Sequence, residues 1–498
     1  MAKSRSGAGG RREARGSACQ GTSQVREGEA SMFGFSSAFV RGTCVAMVLN
    51  FVGSVAMAVG PEVIYTEITT HSSGTVPGAL DGAGNPVATN WLALEDLSIR
   101  HDGGEWMLKG RTTQATTNDS ILVKGSGLSG TMFAQDGQPL QGGAPGEQYD
   151  FFDSPVPAAW DTAGNIAFSC RAKGGVAGNA EKIIKVVGGV HTVVIQQGMP
   201  ALGLVDVPAN PTGDELFGNS MNSVYLLDDG RVSFVNTPIT NLHTTRYPAI
   251  FRNNMAFKQS GVTPIGLEIW DSFDLSDAGG TPDGAFWFAE GDTENPNTAI
   301  DKILAVNDTI MIQEGSPVAG AGTPIMADIF FTRMVSNGDW FSRGDDPADN
   351  DWAVRNGVLL AKSGDPISGG ENWADIFSGF TGDRLGNWLL TGNTNIGNPN
   401  IDTVMVYNGT TVLMREGDPI DHDNNGFFDD DVFLASFQPN DMHLTDSGLV
   451  YFLATLRNGA GTALGDAFLR IAVPEPATLA ALAIGFALFR PRRRSSSR

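Results

Sequence analysis

Cysteine is nearly missing from this chain, with three residues in 498. Cys19 precedes an apolar export-type segment and Cys44 lies inside it, so a processed chain keeps only Cys170 and no internal disulfide can form. In Ile166-Ala167-Phe168-Ser169-Cys170 the thiol shares the period-2 face of Ile166 and Phe168, which predicts a core residue and not a nucleophile. Positive charge is scarce between the ends. Residues 59–476 hold 21 Lys/Arg against 52 Asp/Glu, a formal charge of about −31 where the whole chain has −22. Such a field repels phosphate backbones and anionic membranes and suits cations or neutral, hydroxyl-rich partners, so no nucleic-acid partner is expected. The common catalytic phrases are missing as well: there is no Gly-x-Ser-x-Gly, His-Glu-x-x-His or Walker-type loop. The six histidines (71, 101, 191, 243, 422 and 443) are scattered. An enzyme is therefore not expected.

Glycine, by contrast, is abundant. Its 63 residues are near twice the usual share of about 7%, and without a Gly-X-Y period they favour many short strands joined by tight turns. Two phrases recur. One is an apolar run ending in Gly and Pro: MFAQDGQP (132–139), VVIQQGMP (193–200), MAFKQSGVTP (255–264), IMIQEGSP (310–317), VLLAKSGDP (358–366) and VLMREGDP (412–419). The other is a turn glycine followed by alternating apolar residues, in seven copies: HDGGEWML (101–108), DTAGNIAF (161–168), DDGRVSF (228–234), PDGAFWF (282–288), SNGDWF (336–341), RLGNWLL (384–390) and TDSGLVYF (445–452). The unit from Gly364 to Gly417 reads as four antiparallel strands, near Trp373 to Phe380, Asn387 to Thr391, Thr403 to Tyr407 and Val412 to Arg415. That is the size of a propeller blade.

The last unit lacks a fourth strand, and a displaced copy stands at the other end, in Val63 to Thr69. The fold expected for residues 59–472 is therefore all-β, a seven-bladed β-propeller closed by an N-terminal strand. In the repeated Gly-Asp-Pro the glycine and proline end a strand, and the aspartate accepts turn amides. The phrases also resemble tandem-repeat domains of uncharacterised function in exported bacterial proteins.

The ends read as addresses. Residues 1–58 form an extension and signal peptide, with an apolar run from Cys44 and an Ala-x-Ala cleavage site at Ala58; Met32 is an alternative start. Residues 473–498 contain Val473-Pro474-Glu475-Pro476, an apolar segment Ala477 to Phe489 and the basic cluster Arg490, Arg492, Arg493 and Arg494. In that order the three parts resemble the PEP-CTERM sorting signal. The resemblance implies transient inner-membrane anchoring through a transmembrane helix, and processing near Pro474, Glu475 and Pro476 by an exosortase-type enzyme. It also implies delivery to the cell surface or extracellular matrix in bacteria that export exopolysaccharide. A plain C-terminal anchor is the alternative, although thirteen apolar residues fall short of the ~20 a span needs.

The sharpest local motif follows Pro419: Asp421-His422-Asp423-Asn424-Asn425-Gly426-Phe427-Phe428-Asp429-Asp430-Asp431. Oxygen donors at Asp421, Asp423, Asn425 and Asp429, with Gly426 at the sixth position and the Phe427 carbonyl at the seventh, match a calcium loop. Phe428 would anchor the loop in the core. Val432 replaces the usual bidentate Glu at the twelfth position, so Asp431 or Asp430 must substitute. A solvated acidic turn is the alternative. Any calcium here is expected to be structural.

Two functions fit these readings: a non-catalytic interaction or structural module for extracellular polysaccharide or surface proteins, and a carbohydrate-active enzyme on a propeller scaffold, a glycosidase or polysaccharide lyase. For the second, His101, Asp102, Glu268, Asp271 and Asp274 lie near turns, and Trp270 and Trp352 are candidate sugar platforms, though core filling is the commoner fate of such tryptophans.

Overall fold

The computed structural model describes residues 60–152, 158–205, 215–238, 248–318 and 328–474. The expected signal peptide with Ala58, and the tail from Glu475 onward, lie outside the described residues. Among the described residues no helix is long and apolar enough to cross a membrane.

Among the described residues seven large antiparallel sheets follow one another along the chain, six with four strands in up-and-down order and one whose innermost strand is split in two, with a small two-stranded sheet, Pro264–Ile265 and Glu268–Ile269, between the third and fourth. They form the blades of a seven-bladed β-propeller. Blade one spans 91–135, blade two 148–196, blade three 222–259, blade four 278–313, blade five 328–362 and blade six 373–415. Blade seven is built from Phe433–Leu444, Leu449–Arg457 and Ala463–Ala472, and its fourth, outer strand is Glu62–Thr66 from the other end of the chain. Closure by the N-terminal strand is thus as the repeat count requires. Arg470 Nε and Nη2 both donate to Glu62 Oε2, at 2.9 and 2.5 Å, and reinforce that pairing.

Why the Gly-Pro phrase recurs is visible in its hydrogen bonds. Gly364 and Gly417 have φ of +86° and +89°, a conformation that any side chain would strain, and this turns the chain out of one blade towards the next. Gly364 then donates to the carbonyl of Trp373, and Trp373 returns a bond to Asp365; Gly417 and Leu434 do the same with Asp418. Equivalent pairs link Gly137 with Tyr149, Gly198 with Phe217 and Gly261 with Trp270. In these five copies the phrase is therefore a latch onto the segment that opens the following blade. Asp365 and Asp418 accept the amides of Lys362 and Arg415 at 3.0 and 2.7 Å, the turn role expected of them.

Burial follows the alternation of each strand. One face of every sheet packs on the preceding blade and the other on the following blade, giving seven apolar clusters, one per interface. The closing interface is an ordinary member of the set: Trp106 of blade one meets Phe468 of blade seven edge to face at 5.1 Å, a pairing worth ~0.5–1.5 kcal/mol beyond its area. Cys170 is fully buried in the cluster between blades one and two. Trp270 and Trp352 are also core residues, closed off from any sugar ring, and Trp352 spends its indole N–H on the Asp345 carbonyl at 2.7 Å.

Candidate functional sites: the central cavity and the acidic loop

The innermost strands of all seven blades converge on a cavity of about 450 Å³. Its shape is set by a wide bulge in Phe433–Leu444. Phe437 pairs with Ala454 and Met442 with Phe452, so residues 438–441 stand opposite Leu453 alone and are pushed inward. Arg333 of blade five reaches this bulge, donating to the carbonyls of Asn440 at 2.9 Å and Met442 at 2.6 Å. It also approaches His443 Nδ1 at 3.3 Å. A guanidinium has only donors, so Nδ1 accepts and the imidazole proton sits on Nε2, which donates to the Leu97 carbonyl at 3.0 Å. The Leu97 amide in turn donates to Asp441 Oδ1 at 2.9 Å.

Blades five, seven and one are thereby tied through polar groups in a site of low dielectric. Burial, with the Arg333 charge beside it, holds His443 well below its ordinary range. Burial also brings Arg333 down to about 10 and, helped by the Asp96 charge, pushes Asp441 up to about 7. A histidine kept neutral, with both nitrogens committed to the protein, is placed for structure and not for proton transfer.

Two further ionic groups lie behind the cavity wall and reach it through Asp96 and Asp277. In blade one Lys109 pairs with Asp96 at 3.0 Å and Glu95 at 3.1 Å. In blade four one carboxylate oxygen from each of Asp274, Asp277 and Glu290 lies within 4.8 Å of the other two. Burial, with Asp277 beside it, pushes the Glu290 carboxyl well up, and burial also raises Asp277. Of the acids singled out near turns, only Asp274 belongs to this group. His101 lines the cavity while Asp102 pairs with Arg100 at 2.9 Å. Glu268 is held by Thr293 and Asn295, away from that cavity, and Asp271 is exposed. Asp277, Glu290, Arg333 and Asp441 escaped sequence reasoning. A charged residue amid an apolar strand, as in Trp287-Phe288-Ala289-Glu290, is the signal that could have found Glu290.

The acidic loop lies between blades six and seven. Oxygens of Asp421, Asp423 and Asp430 lie within 4.8 Å of one another. Asp421 accepts from the amides of Asn425 at 3.0 Å and Gly426 at 2.6 Å, and Asp430 from that of His422 at 2.8 Å, so the chain wraps around the three carboxylates. Asp429 is exposed outside this trio, and Asp431 is turned away, with φ of +50° and its Oδ1 accepting from Gly459 at 3.0 Å. The Asn425 side chain bonds Asp423 at 2.9 Å and the Phe427 amide at 2.7 Å. Phe427 and Phe428 are 69% and 52% exposed; Phe428 covers Gly60 instead of entering the core. Between them, Asn424 makes both backbone bonds to Val63, 3.0 and 2.9 Å, and His422 stacks edge to face on His71 at 4.6 Å. The loop is thus fastened to the strand that closes the ring.

No protein-family model and no curated protein matches the chain. Among solved structures it is similar to the β-propeller domain of the Trilobed protease from Pyrococcus furiosus, at 8% identity over 77% of this chain and 96% of that one, with a TM-score of 0.38. A protein of unknown function from Dyadobacter fermentans is 12% identical over 84% and 99%, with a TM-score of 0.31. Trypanosoma rangeli sialidase is 8% identical over 86% of this chain but only 61% of its own length, with a TM-score of 0.35.

Proposed function

We propose that the chain is an exported, non-catalytic surface or extracellular-matrix protein whose propeller serves as an interaction and structural module. The observation that carries this reading is the commitment of the cavity's strongest polar groups, Arg333, His443 and Asp441, to backbone atoms of neighbouring blades. The acidic surface suits hydroxyl-rich extracellular polymers or cation-bridged surface proteins. The PEP-CTERM-like tail supplies the address, with an exosortase-type enzyme as processing partner and the inner membrane as a transient station. Intact mass of the protein from its native envelope and medium tests the address: loss of the tail near Pro474 is expected, and its retention in both fractions would sink it.

Calcium in the acidic loop fits the same reading as a structural ion. Asp421, Asp423 and Asp430 supply hard oxygen donors, and Asn424 couples them to the closing strand at Val63. D421A/D423A is expected to abolish the loop's calcium binding and the thermal stabilisation that comes with it. N424A is expected to lower stability by ~1–2 kcal/mol through loss of its two bonds; an unchanged unfolding midpoint would show that the loop does not fasten the strand.

A second reading, a carbohydrate-active enzyme, draws on Asp277, which lines the cavity with Tyr225 and Phe330. Its partner acid Glu290 is only 1% exposed, out of reach of a glycosidic oxygen. Release of reducing ends from polysaccharide by the full-length protein, abolished in D277N, would establish the enzyme; none is expected.

A further inference from the structure

The second strands of four blades share a phrase: Trp106-Met107-Leu108-Lys109-Gly110, Trp287-Phe288-Ala289-Glu290-Gly291, Trp340-Phe341-Ser342-Arg343-Gly344 and Trp388-Leu389-Leu390-Thr391-Gly392. Its fourth residue is buried in every case. The glycine after it lets the neighbouring backbone close in: a Cβ at Gly291 would stand 2.3 Å from the Ser272 carbonyl, one at Gly110 2.6 Å from that of Ala93. In blades one, five and six the buried polar residue has partners. Lys109 meets Asp96 and Glu95, Arg343 donates to the Phe377 carbonyl at 2.8 Å, and Thr391 bonds the Ser378 hydroxyl at 3.0 Å.

Blade four departs from this rule. Where blade one sets a lysine against first-strand acids, blade four sets Glu290 against Asp277 and Asp274, so all three groups carry the same sign. Glu290 Oε1 is buried without a hydrogen bond. The Thr332 hydroxyl, on the adjoining inner strand of blade five, is 4% exposed and has the Glu290 carboxyl as its polar neighbour, with no close hydrogen bond between them. Orphaned buried oxygens of this kind are costly and are ordinarily satisfied by a water, a proton or an ion. The nearest cation, Lys302, pairs with Asp274 at 3.0 Å and stands 3.6 Å from Asp328. Lys302 thus also serves Asp328, and Arg343 of blade five acts on Asp277 and Glu290 while serving Asp351, so carboxylates outnumber cations here.

We propose that Asp274, Asp277, Glu290 and the Thr332 hydroxyl form a binding site for a divalent cation of the calcium type. The donors are all oxygen, as a hard cation requires, and acids outnumber cations around them. Asp277 and Thr332 both line the cavity, so the ion enters from there without disturbing the core, and its remaining coordination positions face the cavity. The site is separate from the acidic loop, which lies between blades six and seven, and it does not depend on that loop binding calcium.

The test uses the full-length protein carrying D421A/D423A, stripped with chelator and titrated calorimetrically with calcium chloride. One ion per chain is expected to bind, and binding is expected to vanish when E290Q or D274N is added. D271N, which changes an exposed neighbour, should leave it intact. A background that binds no calcium, or one that keeps the same stoichiometry with E290Q and D274N, overturns the proposal. E290Q removes a buried acid without changing shape, so its melting temperature in chelator should not fall. Should it unfold, D274N at the partly exposed position decides alone. Wild type binding the same number of ions as the D421A/D423A background would refute the loop site and leave this one standing.

Discussion

Blade one carries Lys109 opposite Asp96, and blade four carries Glu290 beside Asp277, at the same step of a shared Trp-x-x-x-Gly phrase. The backbone frame is common to both: a glycine admits the neighbouring strand, a tryptophan begins the element, and a first-strand acid faces the cavity wall. Only the sign of one buried residue differs. In blade one the buried charge meets partners of opposite sign within the protein, whereas in blade four the buried residue repeats the sign of its neighbours. A repeat thus holds its fold constant while one position per blade decides between an internal salt bridge and a ligand site.

The comparison breaks most severely in blade one. K109M keeps the side-chain bulk but leaves Asp96 and Glu95 without their ammonium in a place where Lys109 is 2% exposed. Removing one partner of a buried pair costs ~3–5 kcal/mol, and urea unfolding should show that loss. A loss below ~1 kcal/mol would mean that solvent already screens the acids, and the contrast with blade four would lose its meaning.

Asp441, carried in by the blade-seven bulge, adds a third acid on the blade-one side and makes that side sensitive to pH. Its carboxyl ionises at about 7 in the folded chain, against about 4 when unfolded. Between those values the folded state holds a proton that the unfolded state has released, so its contribution to stability is whole below pH ~4 and is lost as pH rises to 7. D441N can still accept the Leu97 amide with its Oδ1. The variant should therefore flatten this slope and, at pH 8, be more stable than wild type by ~2–4 kcal/mol. Denaturant midpoints at pH 4.5 and pH 8 measure the difference; equal slopes for the two proteins would place Asp441 in water.

Much of the ring was legible in the sequence because it is written locally. The turn glycines and alternating apolar residues located the strands of blade six within a few residues, and the unit that lacked a strand pointed to the closing strand, expected at Val63 to Thr69 and found at Glu62–Thr66. The cavity was not legible. Which of 52 acids converge depends on ring closure, which brings Arg333 to a bulge 107 residues further on and Leu97 to Asp441, 344 residues away. The sorting of the loop acids was equally hidden: Asp430 faces Asp421 and Asp423 while Asp431 faces Gly459, a choice made by backbone angles and not by spacing. Phe428 misled for a related reason, since its apolar ring found cover over Gly60, at the start of the described chain, instead of in the core.

The finest test of the contrast is T332V, which changes one buried hydroxyl for a methyl of nearly equal size. Blade one sets a lysine against its acids; beside blade four's Glu290, the Thr332 hydroxyl of blade five is a proposed ligand with no close hydrogen bond in the protein. Removing an unsatisfied buried hydroxyl relieves a desolvation cost, so in chelator T332V should match wild type or exceed it by up to ~1 kcal/mol. With calcium chloride present the order should reverse, because the variant forfeits one oxygen of the set and with it part of the calcium-dependent rise in melting temperature. Thermal unfolding with chelator and with calcium, in the D421A/D423A background, separates the two effects. A variant less stable than wild type in chelator would show that the hydroxyl has a partner within the protein, and an undiminished calcium response would remove Thr332 from the site while leaving its three carboxylates.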